Sequence, residues 1–186
     1  NATNFITAAN AKAYDITTLP GVEITPVSVT STLPTTIGVH DVTFMSPTGN
    51  TTITVKAYVY NEVNQSDKEA MDAHDFVIAL KDVNEANFIT AADAKAYDIT
   101  TLPGVEITPV TVTSALPTTT GTHDVVFVSP TGNTAIMVKA YVYDEVNLTD
   151  NEAMNAHDFV LPLSEVSVDN FLSTSGVKAY DITTLP

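Results

Sequence analysis

The clearest pattern in this chain is a strict alternation of apolar and polar residues in two neighbouring segments. In residues 41–44, Val42 and Phe44 alternate with polar neighbours, and residues 53–60 continue the alternation after a Pro47-Thr48-Gly49-Asn50 turn. The apolar positions of the second segment are Ile53, Val55, Ala57 and Val59. Because successive side chains of a strand point to opposite faces, the pattern predicts a β-hairpin with one buried face.

The hairpin pattern returns 83 residues later, together with almost everything around it. Asn4-Phe5-Ile6-Thr7 recurs as Asn87-Phe88-Ile89-Thr90, and the first pair recurs again as Asn170-Phe171. Residues 4–86 and 87–169 are identical at 62 of 83 positions. A period of this length is typical of a small β-domain repeated in tandem, so the 186 residues hold two nearly whole copies and part of a third.

Weaker patterns predict the remaining elements of one repeat. Ser66–Glu69 and Thr149–Glu152 fit the S/T-x-x-E capping box, which predicts either one helical turn or an acidic linker. The apolar run His74–Leu80 predicts a strand, and residues 90–97 predict a short helix or a turn. The alternation that starts at Val22 shifts by one position after Pro26, which predicts a bulge or a break in the strand.

No parallel βαβ pattern accompanies these strands. The predicted fold is therefore all-β, with tandem antiparallel β-sandwich domains, short helical turns and an elongated rod as the overall form.

The position of the domain boundaries within the 83-residue period decides which segments are complete. If the hairpin closes the domain, residues 1–64 are a first copy without its first strand, 65–147 are a complete copy, and 148–186 are part of a third. The unpaired first strand of that third copy, His157–Leu163, is then predicted to pair head to tail with the gap in a neighbouring chain. In the alternative phase each copy starts at Asn4 or its equivalent.

Composition removes several classes of function. The net charge is −15, with seven lysines and no arginine, so nucleic acid and anionic membranes are not expected partners. No apolar run approaches the length that crosses a bilayer, so membrane insertion is not expected. The chain has no cysteine, which removes disulfides, thiol catalysis and cysteine-bound metals.

The hairpin also carries a family resemblance. Gly38–Phe44, followed by Ser46-Pro47-Thr48-Gly49-Asn50-Thr51 and Ile53-Thr54-Val55, resembles the closing hairpin of bacterial Ig-like repeats. Such repeats occur as tandem stalks in cell-wall-anchored surface proteins and adhesins of Gram-positive bacteria. The resemblance implies an Ig-like β-sandwich in an extracellular, cell-wall-anchored protein, with the anchor outside this sequence. It implies no catalytic residue.

Two sets of residues are candidate binding sites. Tyrosines that follow a lysine on the predicted outward face of the hairpin could stack on sugars or anchor a partner, or they could be a covered flank or a contact between repeats. They are Tyr58, Tyr60, Tyr141 and Tyr143. Carboxylates at the second repeat junction could bind calcium, the one cofactor that the sequence suggests. They are Asp144, Glu145, Asp150 and Glu152.

Other motifs have a simpler interpretation. The four His-Asp pairs, such as His40-Asp41, are interpreted as polar residues at strand edges, because adjacent strand residues face opposite ways. Residues 33–38 and 116–121 resemble a sortase motif with one residue too many, and are interpreted as loops that lead into a strand. An isopeptide bond between Lys95 and Asn133 is conceivable from residue types alone.

These observations favour a non-catalytic stalk or spacer whose partners are the neighbouring repeats and which holds another domain away from a cell wall. Uniform repeats suit a spacer because its length scales with copy number. The alternative is an adhesin module that binds a host protein or glycan. An enzyme accessory domain is a third hypothesis, and a catalytic role is not expected because the chain has no nucleophile motif or phosphate loop.

Overall fold

A computed structural model describes residues 1–185 of the chain. The chain divides into two compact units, the first ending at Tyr60 and the second beginning at Asn61. The predicted boundary after residue 64 lies close to this division, whereas the predicted boundary after residue 147 lies inside the second unit. The three-segment division therefore stays a prediction.

One short helix and five strands form the first unit. They are α1 (Ala2–Ala8), β1 (Ala13–Asp15), β2 (Val22–Ile24), β3 (Ser28–Val29), β4 (Gly38–Met45) and β5 (Thr52–Val59). β1 pairs with β2, while β3, β4 and β5 form a separate antiparallel sheet. The chain changes sheet between β2 and β3, at Pro26, which confirms the predicted break.

The predicted hairpin is confirmed as β4 and β5. Val42 lies opposite Val55 and Phe44 opposite Ile53 in an antiparallel register. Val42 and Phe44 are buried, as the alternation predicts. The apolar face of β5 is covered only in part, because Ile53 is 61% exposed while Val55, Ala57 and Val59 are half-buried.

The second unit begins with one complete repeat. Its elements are β6 (Glu62–Asn64), β7 (Glu69–Asp72), β8 (Phe76–Ala79), α2 (Glu85–Ala91), β9 (Lys95–Asp98), β10 (Val105–Ile107), β11 (Thr111–Val112), β12 (Gly121–Val128) and β13 (Ala135–Tyr143). One sheet has the strand order β10-β9-β7-β6 and the other β11-β12-β13-β8. Both sheets and α2 contribute to one apolar core, which includes Met71, Phe88 and Phe127. The all-β class is thereby confirmed.

The second unit continues into the start of the next repeat. Its further elements are β14 (Glu145–Asn147), β15 (Glu152–Asn155), α3 (Val168–Ser175) and β16 (Lys178–Asp181). The three strands form an antiparallel sheet in the order β14-β15-β16. No helix among residues 1–185 is both long enough and apolar enough to span a bilayer.

One strand pairing departs from the predicted antiparallel arrangement. β8 runs parallel to β13, with Phe76 opposite Ala140 and Ala79 opposite Tyr143. A parallel pair needs a long crossover connection, and here the chain between the two strands passes through α2 and through the other sheet. The two strands are far apart in sequence and do not form a βαβ unit. The absence of a βαβ pattern in the sequence therefore did not exclude this parallel pair.

The predicted helical turn at Ser66–Glu69 is wrong, and the segment is the turn of the β6–β7 hairpin. The Asn64 side-chain oxygen accepts hydrogen bonds from the backbone N–H groups of Ser66 and Asp67, at 3.1 and 3.2 Å. Lys68 then has a φ of 57°, which leaves the helical region. Residues 147–151 repeat this geometry around Asn147, with Asn151 at a φ of 56°.

The helix that the sequence predicted over residues 90–97 lies earlier, at Glu85–Ala91. Asn84 fixes its start because the Asn84 side chain accepts a hydrogen bond from the Asn87 N–H at 2.9 Å. Lys95 already belongs to β9. The cap is the signal that the prediction overlooked, and Asn1 and Ser167 cap α1 and α3 in the same way.

The predicted strand His74–Leu80 is confirmed over its central residues as β8. Its copy His157–Leu163 contains no strand, so the prediction of a first strand there is wrong for this chain on its own. A 3-10 turn at Leu163–Glu165 follows, as it does at Leu80–Asp82. The difference has a physical cause, since β8 is held by β13 and residues 157–163 have no such neighbour among the described residues.

Candidate functional site at the repeat junction

The second repeat junction connects two sheets through a single residue. β13 ends at Tyr143 and β14 begins at Glu145, so that only Asp144 lies between them. The Asp144 N–H donates to the side-chain oxygen of Asn155 at 3.0 Å, and the Ala156 N–H donates to the Asp144 carboxylate at 2.8 Å. Asp144, predicted as a calcium ligand, therefore ties the base of the β14–β15 hairpin to the end of β13.

The preceding junction makes the same two hydrogen bonds with the residue types exchanged. The Asn61 N–H donates to Asp72 at 2.8 Å, and the Ala73 N–H donates to the Asn61 side-chain oxygen at 3.2 Å. The sequence differences at positions 61 and 72 thus compensate each other, because each junction keeps one amide and one carboxylate. Burial raises the pKa of Asp72, and the Asn61 N–H partly opposes this.

The tyrosines at this junction are covered to different degrees. Tyr141, at 9% exposure, is buried, although the sequence placed it on an outward face with Lys139 and Tyr143. The Tyr143 ring lies against Tyr180 of β16, with ring centroids 5.0 Å apart and planes at 49°. Burial raises the pKa of the Tyr143 phenol, and the neighbouring phenols of Tyr180 and Tyr141 raise it further.

Tyr58 and Tyr60, the equivalent tyrosines of the first unit, are half-buried. Neither pair thus forms an open aromatic platform of the kind that stacks on sugars. Ligand binding by the four tyrosines stays a prediction, and for Tyr143 the geometry matches the alternative interpretation, a contact between repeats.

The other carboxylates predicted to bind calcium point to separate partners. Glu145 forms a surface ion pair with Lys81, which precedes it by 64 residues, and this hydrogen bond raises the pKa of the lysine. Asp150 accepts from the Asn147 side-chain amide at 2.7 Å, and Glu152 is exposed on β15. In the described part of the chain, no three His, Cys, Asp or Glu side chains lie close enough to hold a metal ion.

The most fully built polar cluster is one that the sequence did not suggest. Glu69 is only 4% exposed, and its carboxylate accepts hydrogen bonds from three hydroxyls of the turn between β12 and β13. Ser129 and Thr134 donate to one oxygen at 2.8 and 3.0 Å, and Thr131 donates to the other at 2.5 Å. The cluster, called here the Glu69 clamp, joins β7 of one sheet to the β12–β13 hairpin of the other.

Two opposing effects act on the Glu69 carboxylate. Burial works to raise its pKa, while the hydrogen bonds from Thr131, Ser129 and Thr134 favour the ionised form. The hydrogen bonds prevail, so the pKa lies below the ordinary value. A carboxylate held in this way is a structural acceptor rather than a general base, because its lone pairs are directed at fixed donors.

A signal for the clamp exists in the sequence. Each repeat carries an S-P-T-G-N-T turn and an S/T-x-x-E segment, and only the tertiary structure shows that the two meet. The first unit has the three hydroxyls, of which Thr48 and Thr51 are exposed and Ser46 is half-buried. The start of the third copy has the carboxylate, Glu152, which is exposed as well.

The remaining motifs take structural positions. His40 and His123 each direct Nε2 to a backbone carbonyl four residues earlier, at 2.9 and 3.0 Å. Asp41 and Asp124 form ion pairs with Lys56 and Lys139, so in these two His-Asp pairs the histidine and the aspartate make separate interactions. Lys95, the residue considered for an isopeptide bond, is partly exposed and pairs with Asp93 at 2.9 Å.

No family model, no curated protein and no solved structure matches this chain. The function is therefore argued from the geometry. That geometry consists of a backbone-tying carboxylate and a packed tyrosine pair at the junction between repeats, and a buried clamp that joins the two sheets of the complete repeat.

Proposed function

We propose that the chain is a non-catalytic stalk of tandem repeats that projects another domain from a bacterial cell wall. The observation that carries this proposal is the junction at Asp144, where one repeat passes into the next without a linker. A flexible connection needs several residues whose backbone is free to rotate. Here the one intervening residue makes two hydrogen bonds with the end of β15, one as donor to Asn155 and one as acceptor from Ala156.

Two further contacts brace the same junction. Tyr180 of β16 packs on Tyr143, the last residue of β13, so a further strand of the third copy contacts the end of β13. Lys81 and Glu145 form an ion pair across the surface, which contributes less because water and salt screen it. Contacts at separate points resist bending better than the connection alone.

The complete repeat also supports the finer structural proposal of an Ig-like sandwich. Two sheets contribute to one core, and β8 pairs with the final strand β13 as the edge strand of an open four-stranded sheet. An extracellular bacterial array requires neither disulfides nor a basic surface. The absence of cysteine and the high acidity of this chain are compatible with such an array. The adhesin alternative gains no support from the half-buried tyrosines.

The stalk proposal is tested by the length of longer arrays. Proteins with two, four and six copies of residues 61–143 in tandem are measured by small-angle X-ray scattering. A stiff rod increases its maximum dimension by a constant amount per copy, whereas freely jointed repeats increase roughly as the square root of the copy number. Square-root growth in the unmodified array would overturn the proposal.

The matched control inserts about eight Gly and Ser residues between Tyr143 of one copy and Asn61 of the next at each junction. This change leaves the core of every repeat intact and removes only the direct connection. Its maximum dimension is expected to grow more slowly with copy number than that of the unmodified array. Equal growth of both arrays would mean that the junction does not set the stiffness.

A further inference from the structure

Two strands of the complete repeat lie side by side and run in the same direction. β8 comes first along the chain among the strands of its sheet and β13 comes last, and Phe76 lies opposite Ala140 and Ala79 opposite Tyr143. β8 is the edge strand, so β13 is its neighbour in the sheet. The chain therefore enters this pair at the start of β8 and leaves it at the end of β13.

The direction of the two strands determines how the pair responds to tension. A chain pulled from both sides draws β8 by its N-terminal end and β13 by its C-terminal end. Because the strands are parallel, these are opposite ends of the pair, and the pull drives one strand to slide along the other. The hydrogen bonds of a parallel pair are evenly spaced, so they share this load and have to break together.

Tension reaches β8 through hydrogen bonds at the start of the repeat. The Asn61 N–H donates to the Asp72 carboxylate at 2.8 Å, and the Ala73 N–H donates to the Asn61 side-chain oxygen at 3.2 Å. These bonds connect Asn61 directly to the residues that precede β8, so a pull on Asn61 is passed on without first opening the β6–β7 hairpin. The Glu69 clamp also holds β7 to the turn between β12 and β13.

The Asp75 side chain extends the strand pair at the end of β8 that receives this load. Its carboxylate accepts a hydrogen bond from the Lys139 backbone N–H at 2.7 Å. Asp75 immediately precedes Phe76 and Lys139 immediately precedes Ala140, so the bond continues the pairing by one position. The His74-Asp75 pair thus contributes a side-chain hydrogen bond where the backbone pairing of the two strands begins.

Core packing also opposes the sliding of β8. Phe76 and Ile78 are only 3% and 7% exposed, and the Phe76 ring packs edge-on against Phe88 with centroids 5.1 Å apart. Successive side chains of a strand face opposite ways, so a shift of one residue would turn Phe76 and Ile78 away from the core. The first step of sliding therefore costs the core contacts together with the hydrogen bonds.

We propose that the complete repeat bears tension and that the parallel β8–β13 pair is the element that carries the load. The proposal rests on the stalk function, because a chain that joins an external domain to a cell wall is stretched whenever that domain is held fast. It also goes beyond that function, since a spacer needs only stiffness whereas a tether has to resist unfolding under load. Such resistance is set by the rate of unfolding rather than by the equilibrium stability alone.

The test pulls the full chain in two directions with optical tweezers. The chain has no cysteine, so two introduced cysteines fix the points of attachment. His74→Cys with Glu145→Cys, the 74/145 variant, loads β8 at its start and β13 just beyond its end. Lys81→Cys with Glu145→Cys, the 81/145 variant, loads both strands at the same end, where the hydrogen bonds can open one after another. All three residues are exposed, and the attachment beside β13 is identical in the two variants.

The 74/145 variant is expected to unfold at a higher force than the 81/145 variant at the same loading rate. The released length, about 3.5 Å for each residue between the attachment points, identifies the event as unfolding of this repeat. Equal forces, or a higher force for the 81/145 variant, would overturn the proposal.

Urea unfolding separates the direction of pull from general stability. Both cysteine variants change exposed residues, so they are expected to have similar free energies of unfolding. The force difference then arises from the direction of the load. A force difference that merely follows a difference in urea stability would also overturn the proposal.

The hydrogen bond of Asp75 gives a second test in the same two variants. Asp75→Ala is expected to lower the unfolding force of the 74/145 variant and to leave that of the 81/145 variant unchanged, because opening from the other end reaches Asp75 last. Asp75→Asn keeps an oxygen acceptor for the Lys139 N–H and is expected to restore most of the force. An equal loss of force in both directions would show that Asp75 bears no load of its own.

The outcomes for this proposal and for the stalk are independent. Equal unfolding forces in the two directions would reject the tension-bearing role and leave the constant growth in length per copy untouched. Square-root growth of the arrays would reject the stalk and leave the dependence of unfolding force on direction in place.

Discussion

Residues 4–60 and 87–143 are copies of one sequence, yet the two hairpins that they contain have different surroundings. β13 lies between β12 and β8, and the inner face of β13 is buried. β5 lies beside β4 alone, and Ile53 is exposed. Local sequence therefore sets the register of the hairpin, while residues 61–86 ahead of it decide whether its apolar face is covered.

The largest expected difference in stability between the two copies comes from Ile53 and Ile136, which occupy equivalent positions. Ile136→Ala removes a buried side chain and leaves a cavity, so we expect a loss of about 2–5 kcal/mol in the free energy of unfolding. Ile53→Ala changes an exposed side chain and is expected to cost less than about 0.5 kcal/mol in dilute protein. Urea unfolding followed by circular dichroism measures both, and similar losses would contradict the difference in burial.

The second comparison is between the two glutamates of the clamp motif. Glu69→Ala leaves Ser129 and Thr134 buried without their acceptor, and we expect a loss of about 3 kcal/mol. Glu152→Ala is expected to have no measurable effect at concentrations where the chain is monomeric, because Glu152 is exposed. The same urea titration checks both, and a stable Glu69→Ala variant would show that the clamp contributes little.

The clamp also predicts the direction of a pH dependence. The pKa of Glu69 in the folded chain lies below its ordinary value of 4.5, so the unfolded chain binds the proton first as the pH falls. The stability from the clamp is complete above pH 4.5 and is lost as the pH falls through the folded pKa. Wild type and Glu69→Gln, compared by urea unfolding from pH 6 to pH 3, should converge at low pH. If the unfolding free energies of the two proteins differ by the same amount at every pH, the Glu69 clamp is not the cause of the pH dependence.

A smaller effect is expected at Tyr143 and Tyr180, whose rings pack together at the junction. Tyr180→Ala exposes Tyr143, so the pKa of the Tyr143 phenol should fall toward its ordinary value of 10.0. Tyr180→Phe retains the packing and removes only the second phenol, so it should lower the pKa less. NMR titration of ¹³C-labelled tyrosine measures both variants. An unchanged Tyr143 pKa in Tyr180→Ala would mean that Tyr180 does not cover Tyr143.

The smallest effect is expected from calcium. Asp144, Glu145 and Asp150 have separate hydrogen-bond or ion-pair partners, so gathering them around one ion would cost these interactions. We expect the same melting temperature in calcium and in chelator. A rise in melting temperature with calcium that the chelator reverses would instead support the calcium site that the sequence suggested.

The sequence predicted the elements that depend on neighbouring residues. The alternation around Val42 and Ile53 identified the hairpin, and the shift after Pro26 identified the change of sheet. The helix was misplaced because its start depends on one hydrogen bond that the Asn84 side chain accepts from the Asn87 N–H, a weaker signal than hydrophobic periodicity. The Glu69 clamp was missed because Glu69 and Thr134 are 65 residues apart, and their meeting depends on how the two sheets stack.

The sequence alone determined the repeat and the strands within it. Both the 83-residue period and the alternation of apolar and polar residues can be read directly along the chain. Only the tertiary structure decided which repeated segments are buried, because burial depends on surfaces that distant residues supply. Phe76 and Phe159 stand in almost the same local sequence, and one lies in a core while the other is exposed. The difference between them is the sheet that covers Phe76.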